Sequence, residues 1–151
     1  MAGTLIGLRY LVDTNVLVYA HDGSDATKQA CAVEVLAQLA GTAALSVQAL
    51  SEFSSVALRK MDPPMSARAL YKELESLEVA FPILPVTPAV VLEAVRGVRD
   101  YKLSYYDAQV WAVARLAQIP ILLSEDFASG GILEGVTFMN PFSPEVEISA
   151  L

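Results

Sequence analysis

The chain has 151 residues, is 54% hydrophobic with a mean hydropathy of +0.46, and carries a formal charge of −7. That length suits one domain, residues 1–151, with a core of its own. The acidity argues against a broad basic surface for nucleic-acid phosphates, and no run of about 18 uncharged apolar residues exists to cross a membrane.

The N-terminus, "MAGTLIGLRYLVD", has no basic segment ahead of an apolar core, so no secretory leader is expected. The single cysteine, Cys31, excludes an intrachain disulfide and a thiolate metal cage. Within "QACAVEVLAQLA" it reads as a buried, inert thiol, as suits a cytoplasmic protein.

In chain order, "RYLVD" reads as a strand ending on Asp13, and Asp13, Thr14 and Asn15 suit the cap of a helix starting at Val16. "DATKQACAVEVLAQLA" reads as a helix stopped by Gly41, and "AALSV" as the second strand. "VQALSEFSSVALRK" is a helix with Glu52 one turn in, closed by Pro63 and Pro64. "SARALYKELESL" is a helix whose Glu73, Glu75 and Glu78 form a solvated face, and "FPILPV" is a strand. "PAVVLEAVRGVR" is a helix opened by Pro88. "SYYDAQVWAVARLAQ" is a helix with Asp107 in its first turn. "IPILLS" is a strand followed by Asp126, "GVTFM" is the last strand, and "NPFSPEVEISAL" an irregular tail. Strands apolar along their whole length, alternating with helices, predict a three-layer α/β/α fold. Its sheet is mostly parallel, with four to five strands.

In such a sheet the strands end, and the crossover helices begin, at one edge, where ligands bind. Asp13, Glu52, Asp107 and Asp126 all fall there. Each has an ordinary structural explanation: Asp13 as a helix cap, Glu52 as an acid favoured by the helix dipole, Ser104 and Asp107 as a capping box, Asp126 as a turn residue. Those explanations are independent, whereas a shared site accounts for all four together. Carboxylates crowded without a cation repel one another. Oxygen donors without His or Cys suit a hard divalent ion, Mg²⁺ or Mn²⁺, which prepares a water to attack a phosphodiester.

The ordered set "LVDTNVLVYA", "SVQALSEF", "LSYYDAQVWAVA", "ILLSEDF" and "GVTFMNPF" resembles the PIN-domain nucleases, and among them the VapC-like toxins of type II toxin–antitoxin pairs, over nearly the whole chain. The resemblance implies that Asp13, Glu52, Asp107 and Asp126 form the catalytic, metal-binding quartet. It implies that Asn15 supports the first aspartate and that Ser124 is a small hydroxyl residue near the last; Thr14 lies beside them. It further implies endonucleolytic cleavage of RNA with Mg²⁺ or Mn²⁺, a homodimer, and silencing by a small antitoxin protein.

The remaining candidates carry less. His21 is the only histidine, which disfavours a metal-free ribonuclease using a histidine acid and base. Arg59 and Lys60 read as solvated charges, while Arg96, Arg99 and Lys102 lie ahead of Asp107 as possible phosphate contacts. Tyr105, Tyr106 and Trp111 are candidates to stack on bases, Tyr105 from its place at a helix start, while Trp111, in an apolar helix, is expected in the core. An aspartate-nucleophile phosphatase needs a second aspartate two residues after the first, where this chain has Asn15. A non-catalytic RNA- or protein-binding module is the other alternative, against which the complete quartet argues.

Overall fold

A computed structural model describes residues 7–151, so the first six residues, on which the leader expectation partly rests, lie outside it. The elements are β1 (Tyr10–Val12), α1 (Thr14–His21), α2 (Ala26–Leu39), β2 (Ala43–Ser46), α3 (Val47–Arg59), α4 (Ala67–Ala80) and β3 (Ile83–Leu84). They continue with α5 (Pro88–Tyr101), α6 (Tyr105–Leu116), β4 (Ile121–Leu123), β5 (Ile132–Leu133), β6 (Val136–Met139) and a closing 3₁₀ turn, Ile148–Ala150. The sheet order is β3-β2-β1-β4-β6-β5, parallel throughout except for the antiparallel β5–β6 pair.

The side-chain period of two explains the layers. Tyr10 and Val12 join Leu45 and Leu123 in a core with residues of α1, α2, α3 and α4. Leu11, between them in sequence, joins Ala44 and Leu122 in the opposite core beneath α5 and α6. Both faces of β1 are therefore covered, which is why "YLV" is apolar at every position.

Most helix starts follow from a side-chain cap. Ser46, Ser66 and Thr87 each accept a hydrogen bond from the backbone N–H three residues on, and Pro88 sits in the first turn of α5. The helices α5 and α6 approach closely because residue 97 is glycine: a Cβ there would stand 2.8 Å from Trp111 Cζ3.

Several expectations need correction. The sheet has six strands rather than four to five, because "IL" at 132–133 folds back on β6 through Glu134 and Gly135. Both turn residues have positive φ, 47° and 84°, as a type I′ hairpin requires. Two residues are too few to show periodicity. Helix α1 starts at Thr14 rather than Val16, with Asp13 accepting from the Thr14 N–H. The tail is not wholly irregular: it ends in the 3₁₀ turn, and Phe142, Val146 and Leu151 pack on the core. Cys31 is half-buried, its thiol donating to the Pro141 carbonyl at 3.2 Å. Burial pushes that thiol's pKa up, which keeps it protonated and unreactive.

Candidate active site

The four acids reach one rim by different routes. Asp13 leaves the C-terminal end of β1, and Asp126 lies two residues past the Ser124 that follows β4, the strand paired with β1. Glu52 is in the second turn of α3, which begins where β2 ends, and Asp107 is in the first turn of α6.

Asp13 is 5% exposed. Its carboxylate accepts from the Thr14 N–H at 2.8 Å and from Ser124 Oγ at 2.8 Å. Ser124, fully buried, is the hub: its Oγ also accepts from Asn15 Nδ2 at 3.0 Å and from the Asp126 N–H at 3.1 Å. Asn15 Nδ2 lies 3.3 Å from Asp126 Oδ2. Glu52 accepts from Thr14 Oγ1 at 3.1 Å and from Gln48 Nε2 at 2.8 Å.

The support differs in detail from expectation. Asn15 bonds Asp126, the last acid, rather than the first. Ser124 touches both, donating to Asp13 and accepting from the Asp126 backbone. The Ser104–Asp107 capping box does not form, since Ser104 makes no side-chain cap bond. The Asp107 side chain has no hydrogen-bond partner among the described residues, which leaves its ordinary structural explanation without a contact.

Two groups were not anticipated. Gln48 and Gln109, both buried, extend the support of Glu52: Gln109 Nε2 donates to Gln48 Oε1 at 2.8 Å, and Tyr105 Oη donates to Gln109 Oε1 at 2.9 Å. A glutamine four residues before Glu52, and another two after Asp107 in an apolar helix, were the available signals. Glu125 is the second group. It accepts from Tyr19 Oη at 2.6 Å and from Lys28 Nζ at 2.9 Å, which draws it away from the quartet.

Five acids outside the quartet are neutralised by a nearby cation. Glu73, Glu93, Asp100, Glu125 and Glu134 all pair with His, Lys or Arg. None of Asp13, Glu52, Asp107 and Asp126 has an ion-pair partner among the described residues. Burial, followed by the nearness of Asp126 and Glu52, pushes Asp13 up from 3.8 to about 6, against the lowering bonds from Ser124 and Thr14. Burial and the charges of Asp107, Glu125 and Glu52 also raise Asp126, against the bond from Asn15.

Those features suit a hard cation: an all-oxygen donor set whose negative charge lacks compensation. As the side chains stand, no three His, Cys, Asp or Glu groups among the described residues converge into a metal-holding set. Asp13, Glu52 and Asp126 each point to a neighbouring N–H or O–H donor instead.

Other candidates lie elsewhere. His21 contacts Glu73 at 3.0 Å and packs on Phe53, away from the acids. Arg96 is taken up by Glu93, Asp100 and Glu134, and Arg99 by Asp100, so neither is an uncommitted phosphate contact. Arg59 is exposed and donates to Ser55, as a solvated charge does. Trp111 is core, 0% exposed. Of the neighbouring tyrosines, Tyr106 is 64% exposed, while Tyr105 is half-buried and bonded to Gln109.

Replacing Ser124 by Ala should cost roughly 1–3 kcal/mol in denaturant unfolding, since it leaves Asn15 and the Asp126 N–H short of an acceptor. It should also raise Asp13 further, by removing a donor that favours the carboxylate. Unfolding unchanged within error would mean that water replaces the hydroxyl at no cost.

The profile of one family, the PIN domain, matches residues 10–128. No curated protein matches the chain. Several solved structures share the fold, three of them as follows. A chain of a toxin–antitoxin complex from Klebsiella pneumoniae is 21% identical with a TM-score of 0.61, over 87% of this chain and 97% of that one. Mycobacterium tuberculosis VapC20, described as a sarcin–ricin loop cleaving toxin, is 20% identical with a TM-score of 0.62, over 75% and 86%. FitAcB from Neisseria gonorrhoeae is 19% identical with a TM-score of 0.63, over 88% and 98%.

Proposed function

The chain belongs to the PIN-domain family, and from that premise we propose that it is a divalent-metal-dependent endoribonuclease, the toxin of a toxin–antitoxin pair. The observation that carries this reading is the crowding of the quartet: four acids at one rim with no cationic partner among the described residues, where burial and one another's charge push Asp13 and Asp126 up. Asp13, Glu52, Asp107 and Asp126 would hold Mg²⁺ or Mn²⁺. When bound, that ion supplies charge stabilisation to a phosphodiester and acidifies water.

The chain's own residues set the geometry. Ser124 and the Thr14 N–H aim Asp13; Thr14 Oγ1 and Gln48 aim Glu52; Asn15 aims Asp126. The apolar floor of β1 and β4 limits water behind Asp13, so its charge acts at short range in a poorly screened setting. RNA as substrate draws support from the sarcin–ricin loop cleavage in the VapC20 description, and an antitoxin partner from the toxin–antitoxin complex. Exposed apolar residues on α5, Leu92 at 75% and Val95 at 53%, suit a contact in a homodimer or with the antitoxin. A cytoplasmic location is part of the same proposal; no helix among the described residues is long and apolar enough to cross a membrane. The phosphatase alternative gains nothing, because Asn15 is engaged as a donor to Ser124 and Asp126.

The test is incubation of purified protein with total cellular RNA in Mg²⁺, in Mn²⁺ and in EDTA. Discrete fragments with either ion and none in EDTA are expected; equal cutting in all three would remove the metal from the proposal.

Linkage gives a second prediction. Asp13 sits at about 6 against an ordinary 3.8, so its protonated form is favoured in the folded protein. Its contribution to stability is full below about pH 4 and lost as pH rises through about 6. A divalent cation competes with that proton and offsets the loss. The rise in Tm on adding Mn²⁺ should therefore be small at about pH 4.5 and grow through about pH 6. Equal shifts at about pH 4.5 and about pH 7.5 would show that Asp13 is not a ligand.

A further inference from the structure

A cavity of about 590 Å³ opens beside the acids, lined by Val47, Gln48, Glu52, Val86, Tyr106 and Gln109, with Ser51 at its margin. It shares one wall, Glu52, with the quartet. Glu52 is also its only charged residue, and no Lys, Arg or His lines it. A phosphate would meet no cation in it, and Glu52 would repel it. The Tyr106 ring, 64% exposed, and Val47, 46% exposed, form an aromatic and aliphatic mouth, and two buried amides lie among its other lining residues.

Those amides are incompletely used. Gln48 spends both N–H bonds, on Glu52 and on the Tyr106 carbonyl, and its Oε1 accepts one bond from Gln109. Gln109 spends one N–H on Gln48 and accepts one bond from Tyr105. By count, Gln109 retains one N–H and one lone pair, and Gln48 one lone pair. A neutral ligand with a flat face for Tyr106 and a donor–acceptor edge for the amides matches this arrangement.

We propose that this cavity is a nucleobase subsite: it takes one unpaired base of the RNA, stacked on Tyr106 and read at its edge by Gln109 and Gln48. The ligand class rests on the nuclease reading, because a chain with a phosphate at the quartet carries a neighbouring base past Glu52. Stacking on an aromatic tolerates every base, so selection among bases comes from the amide edge. The sequence pointed first to Tyr105, but that ring is half-buried and bonded to Gln109, so the role falls to its neighbour Tyr106.

The experiment uses the four ribonucleosides, which carry no phosphate, with the full chain in EDTA and saturation-transfer NMR as the readout. Titration to about 10 mM detects binding in the millimolar range. At least one nucleoside should bind through its base protons, with the four unequal in affinity. Tyr106→Ala should weaken that binding about fivefold or more, and Tyr106→Phe, which keeps the ring, should retain it. Tyr106 is exposed, so circular dichroism should report an unchanged fold for both variants. Val79→Ser, at a 91% exposed position on α4, is the control and should bind as wild type. No binding of any nucleoside, or equal binding by wild type and Tyr106→Ala, overturns the subsite. Because the assay needs neither metal nor cleavage, loss of the nuclease reading would appear separately, as nucleoside binding without metal-dependent cutting of RNA.

Discussion

An Asp107→Asn variant is expected to lose roughly 10²–10⁴-fold in metal-dependent RNA cleavage, the equivalent of several kcal/mol at the transition state, while unfolding like the wild type. The asymmetry follows from its surroundings. The Asp107 carboxylate has no hydrogen bond or ion pair among the described residues, and the capping box that would have given it a structural role does not form. Asn has nearly the same shape, so packing is undisturbed. Its neutral amide also removes a charge that helps to raise Asp126, so stability should be equal or slightly higher. Asp13 is a poorer probe, because it is buried and bonded to Ser124 and Thr14, and its loss would mix fold with function. Cleavage by Asp107→Asn at the wild-type rate would remove this residue from the site and leave the quartet without its α6 member.

The largest loss of stability is expected from Trp111→Ala, roughly 3–5 kcal/mol. Trp111 is 0% exposed and is among the largest fully buried side chains. Its ring meets Tyr101 edge-on at 5.9 Å and lies beneath the Arg96 guanidinium at 5.6 Å, while its Nε1 donates to the Leu133 carbonyl at 3.2 Å. Truncation empties the α5–α6 interface and unties β5. The complementary change, Gly97→Ala, adds a Cβ 2.8 Å from Cζ3 and 3.1 Å from Cε3 of the same ring. Ala favours a helix over Gly by about 1 kcal/mol, but the buried ring cannot yield freely, and overpacking costs about 1–3 kcal/mol. A smaller net destabilisation is therefore expected. Denaturant unfolding of both variants is the check. A Trp111→Ala loss below about 1 kcal/mol would mean that the two helices collapse onto the space.

Local signals and long-range partners were legible to different degrees. The strands at 10–12, 43–46 and 121–123 announced themselves because both their faces are covered and every position but the capping Ser46 is apolar. Strand β5 did not, since a two-residue strand has no period; its hairpin was written only in the Glu134–Gly135 turn. Arg96 looked available from its neighbours in sequence. It is not, because Glu134 arrives from 38 residues away to bind it. The same limit applied to Asn15, whose partner Asp126 is 111 residues distant.

By itself, then, the sequence determined the alternation of buried strands and helices, and through topology the shared edge at which four acids stand. Those are consequences of period and order along the chain. Only the tertiary structure decided how three of the acids are held and where two cations go: Ser124 joining Asp13 to Asp126, Thr14 and Gln48 turned toward Glu52, Lys28 spent on Glu125 and Arg96 on Glu134. Hydrogen bonds and ion pairs depend on ångström distances between residues far apart in the chain, and those distances exist only once the layers have packed.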